Sequence, residues 1–395
     1  MHLFLLISIL APAAHADHKP AMLDSPEHRK ATELVAQLGN KRYAVREAAA
    51  KELTELGLKA LPALRAGAAS ADAEIRARSV ALLPVVRAAD WDRRAGAYLA
   101  DKDGKHIHEL PLLAEWEKLV GKASPGARKL FADMVRANGV LMQDAAADRL
   151  AGRKAVAART QQLMDATWGL LGPRQHGLRE PGSATVADLA AVLFVHTVVG
   201  CDAEPGIRGR TYGVGNLLSH PTMSAGLQSA DSGRAMRLLL AGWAATRPLS
   251  DLSAVGGQIK LAMHHPLPEL VPQLVRIVNN SQGGTGGGEA LVGLAKTGAP
   301  AAVTALSGML DDPSNMWVKA GPRDVKSELR ACALGALAKL KGKEPTDYGL
   351  VPTVRWTRPA FHHGGEPAVV QLYGFPTENA RTDGLAKWRA EMGRK

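Results

Sequence analysis

Apolar residues recur at Val45, Ala48, Ala49, Leu53 and Leu56, which places one stripe on one face of a helix. Gly57 follows the last of them and suits a helix C-cap, where a left-handed backbone is common. Pro62 then stands where a second helix begins, a position that has no helical partner for its missing N–H. Leu61, Leu64 and Ala68 give that second helix its apolar side. After Ala69-Ser70-Ala71-Asp72 the first pattern starts again at Glu74-Ile75-Arg76.

The restart has a fixed period. Arg46 and Arg76 are thirty residues apart, and the same shift carries Val45, Ala49, Leu53 and Leu56 onto Ile75, Ser79, Leu83 and Val86. Three of the four remain apolar. A two-helix unit this short cannot bury its apolar face alone, so a period in this range predicts stacked units, an α-solenoid. The Val/Ile-Arg opening, the Leu-Gly ending and the Ala-Leu-Pro-Ala-Leu of the second helix resemble HEAT repeats. They are most like the short HEAT-type units of secreted bacterial proteins. That resemblance implies an all-α, armadillo-like fold, a right-handed superhelix of helical hairpins used for contact with other macromolecules.

Beyond 45–87 the pattern stays helical but loses the thirty-residue period. A helix is expected from His28 to Leu38. Residues 88–109 read as less regular. Further helices are expected across 110–171, with Leu113, Trp116, Leu119 and Val120 on one face of the first. A Pro/Gly-rich hinge is expected at 172–185. Hairpins then follow at 252–278, around His264-His265-Pro266, and at 289–310. Leu329-Arg330 resembles Ile75-Arg76, which makes Arg330 a third repeat arginine and places an insertion within Pro313–Lys326. Residues 345–376 hold Tyr348, Trp356, Phe361, Tyr373 and Phe375 among prolines and glycines, and read as an irregular aromatic cap. Leu385, Trp388 and Met392 predict a closing helix. The segments W-E-K-L-V-G and P-T-D-Y-G-L…Y-G-F-P…L-A-K-W again resemble the same secreted family.

The expected organisation is therefore a signal peptide (1–16), a leader (17–27), N-terminal HEAT-like repeats (28–90), an atypical helical region (91–171), the hinge (172–185), a second hairpin region (186–344) and the cap (345–395). The signal-peptide expectation rests on the apolar run Leu3–Ala14 and on Ala14-His15-Ala16, an A-x-A cleavage site after Ala16. It implies export to the periplasm or beyond. No later run is long enough to cross a bilayer; the longest, Ala190–Val199, reads as a buried helix.

The 395 residues carry a net charge of +11, none of it in 1–16. An excess of this size suits a polyanion, such as nucleic acid or an acidic polysaccharide, but Lys and Arg are interleaved with Glu and Asp, as on a solvated surface. The two cysteines, Cys201 and Cys332, lie far apart in any stacked array and are expected to be buried free thiols.

Candidate chemistry is sparse. Gly283–Gly288 could hold phosphate at a helix N-terminus, yet it lacks the G-K-[ST] of a phosphate loop and reads as a linker. His106, His108 and Glu109 miss the H-E-x-x-H pattern because Pro111 and Leu112 interrupt it. His264, His265, His362 and His363, with Glu366, could ligate zinc only by converging with a third ligand. No G-x-S-x-G or Cys-x-x-Cys is present. No catalytic, cofactor-binding or metal-ligating residue is therefore expected. Arg46, Arg76 and Arg330 are expected to be structural, bridging neighbouring repeats or a helix end. The leading expectation is a non-catalytic exported scaffold for another protein, followed by polyanion binding and then by a metal-dependent hydrolase or lyase.

Overall fold

Ser25 opens the first helix, its hydroxyl accepting the backbone N–H of His28 at 3.1 Å. The computed structural model describes residues 25–121, 124–168, 184–200, 213–280, 285–316, 325–358 and 367–393. The expected signal peptide, Cys201, His362 and His363 lie outside them, as does most of the expected hinge. The described chain is predominantly helical. It divides into two compact units, with the boundary between Arg93 and Arg94.

The first unit contains α1 (Pro26–Gln37), α2 (Tyr43–Leu56), α3 (Leu61–Ala68) and the start of α4 (Ala73–Ala100). Gly57 caps α2 with φ of 61°, and Pro62 lies in the first turn of α3, as the residues predict. The core comprises Leu34, Val35 and Leu38 of α1, Ala49 and Leu53 of α2, Ala63 and Leu64 of α3, and Val86 of α4. Ala48, expected on the apolar stripe, is exposed. Ser79 occupies the position of Ala49 one period later, and it too is fully buried. Small residues are required there, because a Cβ on Gly67 would stand 2.4 Å from Ser79 Oγ and 2.7 Å from Val35 Cγ1.

The expectation of less regular structure over 88–109 holds for 101–109, with its turn at Asp101–Gly104, and is corrected for 88–100, where α4 continues to Ala100 and carries Pro84 inside it. Proline removes the bond to the carbonyl four residues earlier. Here that residue is Val80, which is 54% exposed, so water can serve the vacated carbonyl.

In the second unit α6 (Pro125–Ala147), α7 (Arg149–Trp168) and α8 (Val186–Val199) pack together, and α5 (Leu113–Val120) joins α6 and α8 through Trp116. Nearly all of α8 is buried, which explains why its sequence is apolar on every side. Trp116, Phe131 and Phe194 meet at its side, with ring centroids 5.4–6.4 Å apart. Thr185 and Asp188 form a capping box at its start. Asp188 Oδ1 also accepts Arg159 Nη2 at 2.6 Å and Asn138 Nδ2 at 3.1 Å. Asn138 is the non-helical residue at which α6 kinks, so this buried network joins the kink, α7 and the start of α8. The parts expected on either side of the hinge thus pack within one unit.

The remaining helices are α9 (Pro221–Gln228), α10 (Gly233–Ala245), α11 (Leu252–His264), α12 (Val271–Asn280), α13 (Thr285–Thr297), α14 (Pro300–Gly308) and α15 (Leu329–Leu340). Helix α13 packs on α11 and α12, and α15 packs on α13 and α14. No described helix is long and apolar enough to cross a membrane.

The expected irregular cap is also corrected. Residues 351–374 contain an antiparallel pair, β1 (Val351–Arg358) and β2 (Ala368–Gly374), with an irregularity between Pro352 and Val354. The β-branched residues Val351, Thr353, Val354, Thr357, Val369 and Val370 favour strands, and Pro352 is tolerated because the sheet has only edge strands. Helix α16 (Glu378–Gly393) then closes the chain, burying Leu385 and Trp388 as expected.

Candidate functional site

The repeat arginines separate into a pair and an outlier. Arg46 Nη1 donates to the carbonyls of Asn40 at 2.8 Å and Lys41 at 3.2 Å. Arg76 Nη1 donates to those of Ser70 at 2.7 Å and Ala71 at 3.3 Å. Each arginine therefore ties its own helix to the turn that precedes it. The two helices are also linked to each other. Glu74 Oε1 lies 3.3 Å from Arg46 Nε and 2.6 Å from Arg78 Nε, and Arg78 Nη1 reaches Glu47 Oε1 at 3.0 Å. The hydrogen bond from Arg78 is the main reason the Glu74 carboxyl titrates below its usual range. Arg330 differs. It is the second residue of α15, whereas Arg46 and Arg76 are the fourth residues of α2 and α4. Its Nε donates to Glu328 Oε2 at 2.6 Å, and no hydrogen bond from its side chain to a preceding turn is among those of the described residues.

Three stretches marked in the sequence converge at the C-terminal end of the second unit. Strand β2 lies on α13 and α15. The approach is close: a Cβ on Gly335 would stand 2.5 Å from the Tyr373 ring, and one on Gly288 would stand 3.0 Å from Leu372. Glu289, 6% exposed, accepts Trp356 Nε1 at 3.0 Å and Arg358 Nε on Oε1. Gly286–Gly288, in the first turn of α13, therefore lead to a carboxylate, a poor neighbour for a phosphate, while Gly283 and Gly284 lie outside the described residues. Cys332 Sγ donates to the Tyr373 carbonyl at 3.3 Å, and full burial pushes its thiol up to about 12. The described ends of the insertion are joined to this assembly. Asn315 bridges Glu328, and Ser327 Oγ lies 2.5 Å from Thr353 Oγ1. Strand β2 thus covers part of α13 and α15.

The described histidines do not gather. His108 Nε2 is 2.9 Å from Asp101 Oδ2, and Asp101 also accepts the backbone N–H groups of Lys105 and His106. Those bonds, that of His106 foremost, hold the Asp101 carboxyl well below the usual range. The His106 and Glu109 side chains are exposed. His265 turns to Ser224 and Gln228, with Nε2 and Nδ1 at 3.0 and 3.2 Å. Among the described residues no group of three or more His, Cys, Asp or Glu side chains is placed to hold a metal ion.

Sequence reasoning missed the buried polar groups. His196 is 7% exposed; its Nδ1 accepts Trp243 Nε1 at 2.9 Å, and its Nε2 lies 3.4 Å from Arg247 Nη1. Burial first, and the Arg247 charge second, depress its imidazole to about 3. His196 and Trp243 lie on α8 and α10, 47 positions apart, and no spacing rule pairs them. Glu289 could have been noticed as the lone acid after a glycine run.

No protein family, curated protein or solved structure matches the chain.

Proposed function

We propose that the chain is an exported HEAT-like α-solenoid that serves as an interaction scaffold for another protein. The observation that carries this reading is the duplicated turn of the first unit, where Arg46 and Arg76 make the same pair of carbonyl contacts one period apart. Units built to one plan and stacked in register offer an extended surface, and such surfaces act by contact. Tyr43, Val80 and Val85 are 65%, 54% and 48% exposed on α2 and α4, which gives that surface apolar anchor points.

Many cations are already engaged. Arg46, Arg78, Arg159, Arg237, Arg358 and Arg389 all stand within ion-pair distance of carboxylates. This favours a protein partner over a polyanion. The test is retention on immobilised heparin against capture of a protein from the envelope fraction, each across a salt series. A scaffold for protein keeps its partner as salt rises. Tight polyanion binding that collapses steeply with salt, with no protein captured, would replace this reading with the electrostatic one.

A further inference from the structure

His265 ends α11. Its backbone N–H still donates to the Leu261 carbonyl at 2.8 Å, but Pro266 follows, and a residue before proline is driven out of the helical region. It adopts φ of −129° and ψ of 138°. Its ring meets α9, where Ser224 and Gln228 are one turn apart on the same face. Ser224 Oγ stands 3.0 Å from Nε2, and the Gln228 carboxamide stands 3.2 Å from Nδ1. Ser224 and His265 are half-buried and Gln228 is exposed, so the hydroxyl remains reachable from solvent.

The pair is held from both sides. Arg237 Nη1 donates to the Leu227 carbonyl at 3.0 Å, next to Gln228, while its Nε donates to Glu269 at 3.1 Å, four residues beyond His265. Thr222 Oγ1 donates to the Ala184 carbonyl at 2.9 Å and fixes the start of α9. A hydroxyl in reach of an imidazole, with that imidazole oriented by a third group, is the arrangement that activates a serine nucleophile.

We propose that Ser224 and His265, positioned by Gln228, form an acyl-transfer centre for small carboxylic esters. A half-turn of the Gln228 carboxamide puts its Oε1 opposite Nδ1. The ring then carries its proton on Nδ1 and offers the Nε2 lone pair to Ser224. Ser224 Oγ attacks the ester carbonyl carbon as its proton passes to Nε2. The bond to the alkoxy oxygen breaks, and that oxygen takes the proton from Nε2 and departs as the alcohol. Water attacks the resulting acyl-serine and gives a proton to Nε2. The Oγ–acyl bond breaks, Oγ recovers the proton, and a carboxylic acid leaves. Esters are the class selected because neutral Gln228 stabilises the imidazolium less than an aspartate would, which suits leaving groups better than amines. This activity is independent of the scaffold reading.

The experiment uses the full chain with p-nitrophenyl acetate and, separately, a fluorophosphonate probe. The expected result is a burst of about one p-nitrophenolate per chain and a phosphonyl adduct on the peptide that contains Ser224. Ser224→Ala, at unchanged helicity by circular dichroism, abolishes both. His265→Gln slows acylation by about a hundredfold or more. Gln228→Glu keeps the burst and moves the pH profile upward, because a carboxylate at Nδ1 raises the imidazole pKa. Linear hydrolysis without a burst, unchanged in Ser224→Ala, would show a surface imidazole acting alone and overturn the proposal. So would the absence of an adduct on Ser224.

Discussion

Arg46 and Arg76 stand thirty residues apart and hold corresponding carbonyls, those of Asn40 and Lys41 in one turn and those of Ser70 and Ala71 in the next. A hydrogen bond from a charged donor contributes about 1.5–3 kcal/mol when well enclosed, and partial exposure lowers that figure. Arg46→Ala and Arg76→Ala are each expected to destabilise the first unit by about 1 kcal/mol. Urea unfolding followed by circular dichroism measures it. Similar losses at the two positions are the mark of a shared role.

Ser79 occupies the place of Ala49 one period on, but its hydroxyl is buried without a hydrogen-bond partner. A buried unsatisfied hydroxyl costs about 1–3 kcal/mol. Ser79→Ala is therefore expected to stabilise the protein by about 1 kcal/mol, raising the urea midpoint. Gly67→Ala does the reverse, because its new methyl would press on Ser79 and Val35.

Cys332 is buried, and its thiol is pushed up to about 12. Only the thiolate is nucleophilic, so this side chain is inert at neutral pH. Native protein treated with iodoacetamide at pH 8 is expected to leave the Cys332 peptide unmodified by mass spectrometry. Alkylation becomes complete in about 6 M guanidinium, well above ordinary unfolding midpoints.

His196 makes stability pH-dependent with a definite sign. Its folded imidazole titrates at about 3, while an unfolded histidine titrates at about 6.5. Between those values the unfolded chain binds the extra proton, so stability rises with pH there and is complete above about 6.5. Acidification through this window removes up to about 1.4 kcal/mol per pH unit on account of this one group. His196→Gln is expected to flatten that part of the profile, as read from chemical unfolding at pH 4, 5, 6 and 7. An unchanged slope would mean that His196 gains its proton without unfolding.

The first unit was legible because its elements are local. Gly57, Pro62 and the stripe from Val45 to Leu56 each act within one turn of themselves. Helix α4 ran past its predicted end because the charged stretch around Trp91 lacks apolar periodicity, yet nothing there breaks a helix. The hairpin at 351–374 was hidden by prolines and glycines that drew attention from the β-branched residues between them. Contacts such as Glu289 with Trp356, or Ser224 with His265, join residues 67 and 41 positions apart, and no local pattern encodes them. Arg330 had the right neighbours in sequence but the wrong place in its helix.

The scaffold reading is tested most directly by photo-crosslinking from the helices of the first unit. A benzophenone side chain at Tyr43, and separately at Val80, replaces residues that are 65% and 54% exposed. Irradiation in the native envelope fraction is expected to give the same discrete protein adduct from both positions, and to give it still in about 0.5 M salt, where exposed charge pairs are screened. No protein adduct from either position, with only salt-sensitive capture of nucleic acid or polysaccharide, would contradict the account.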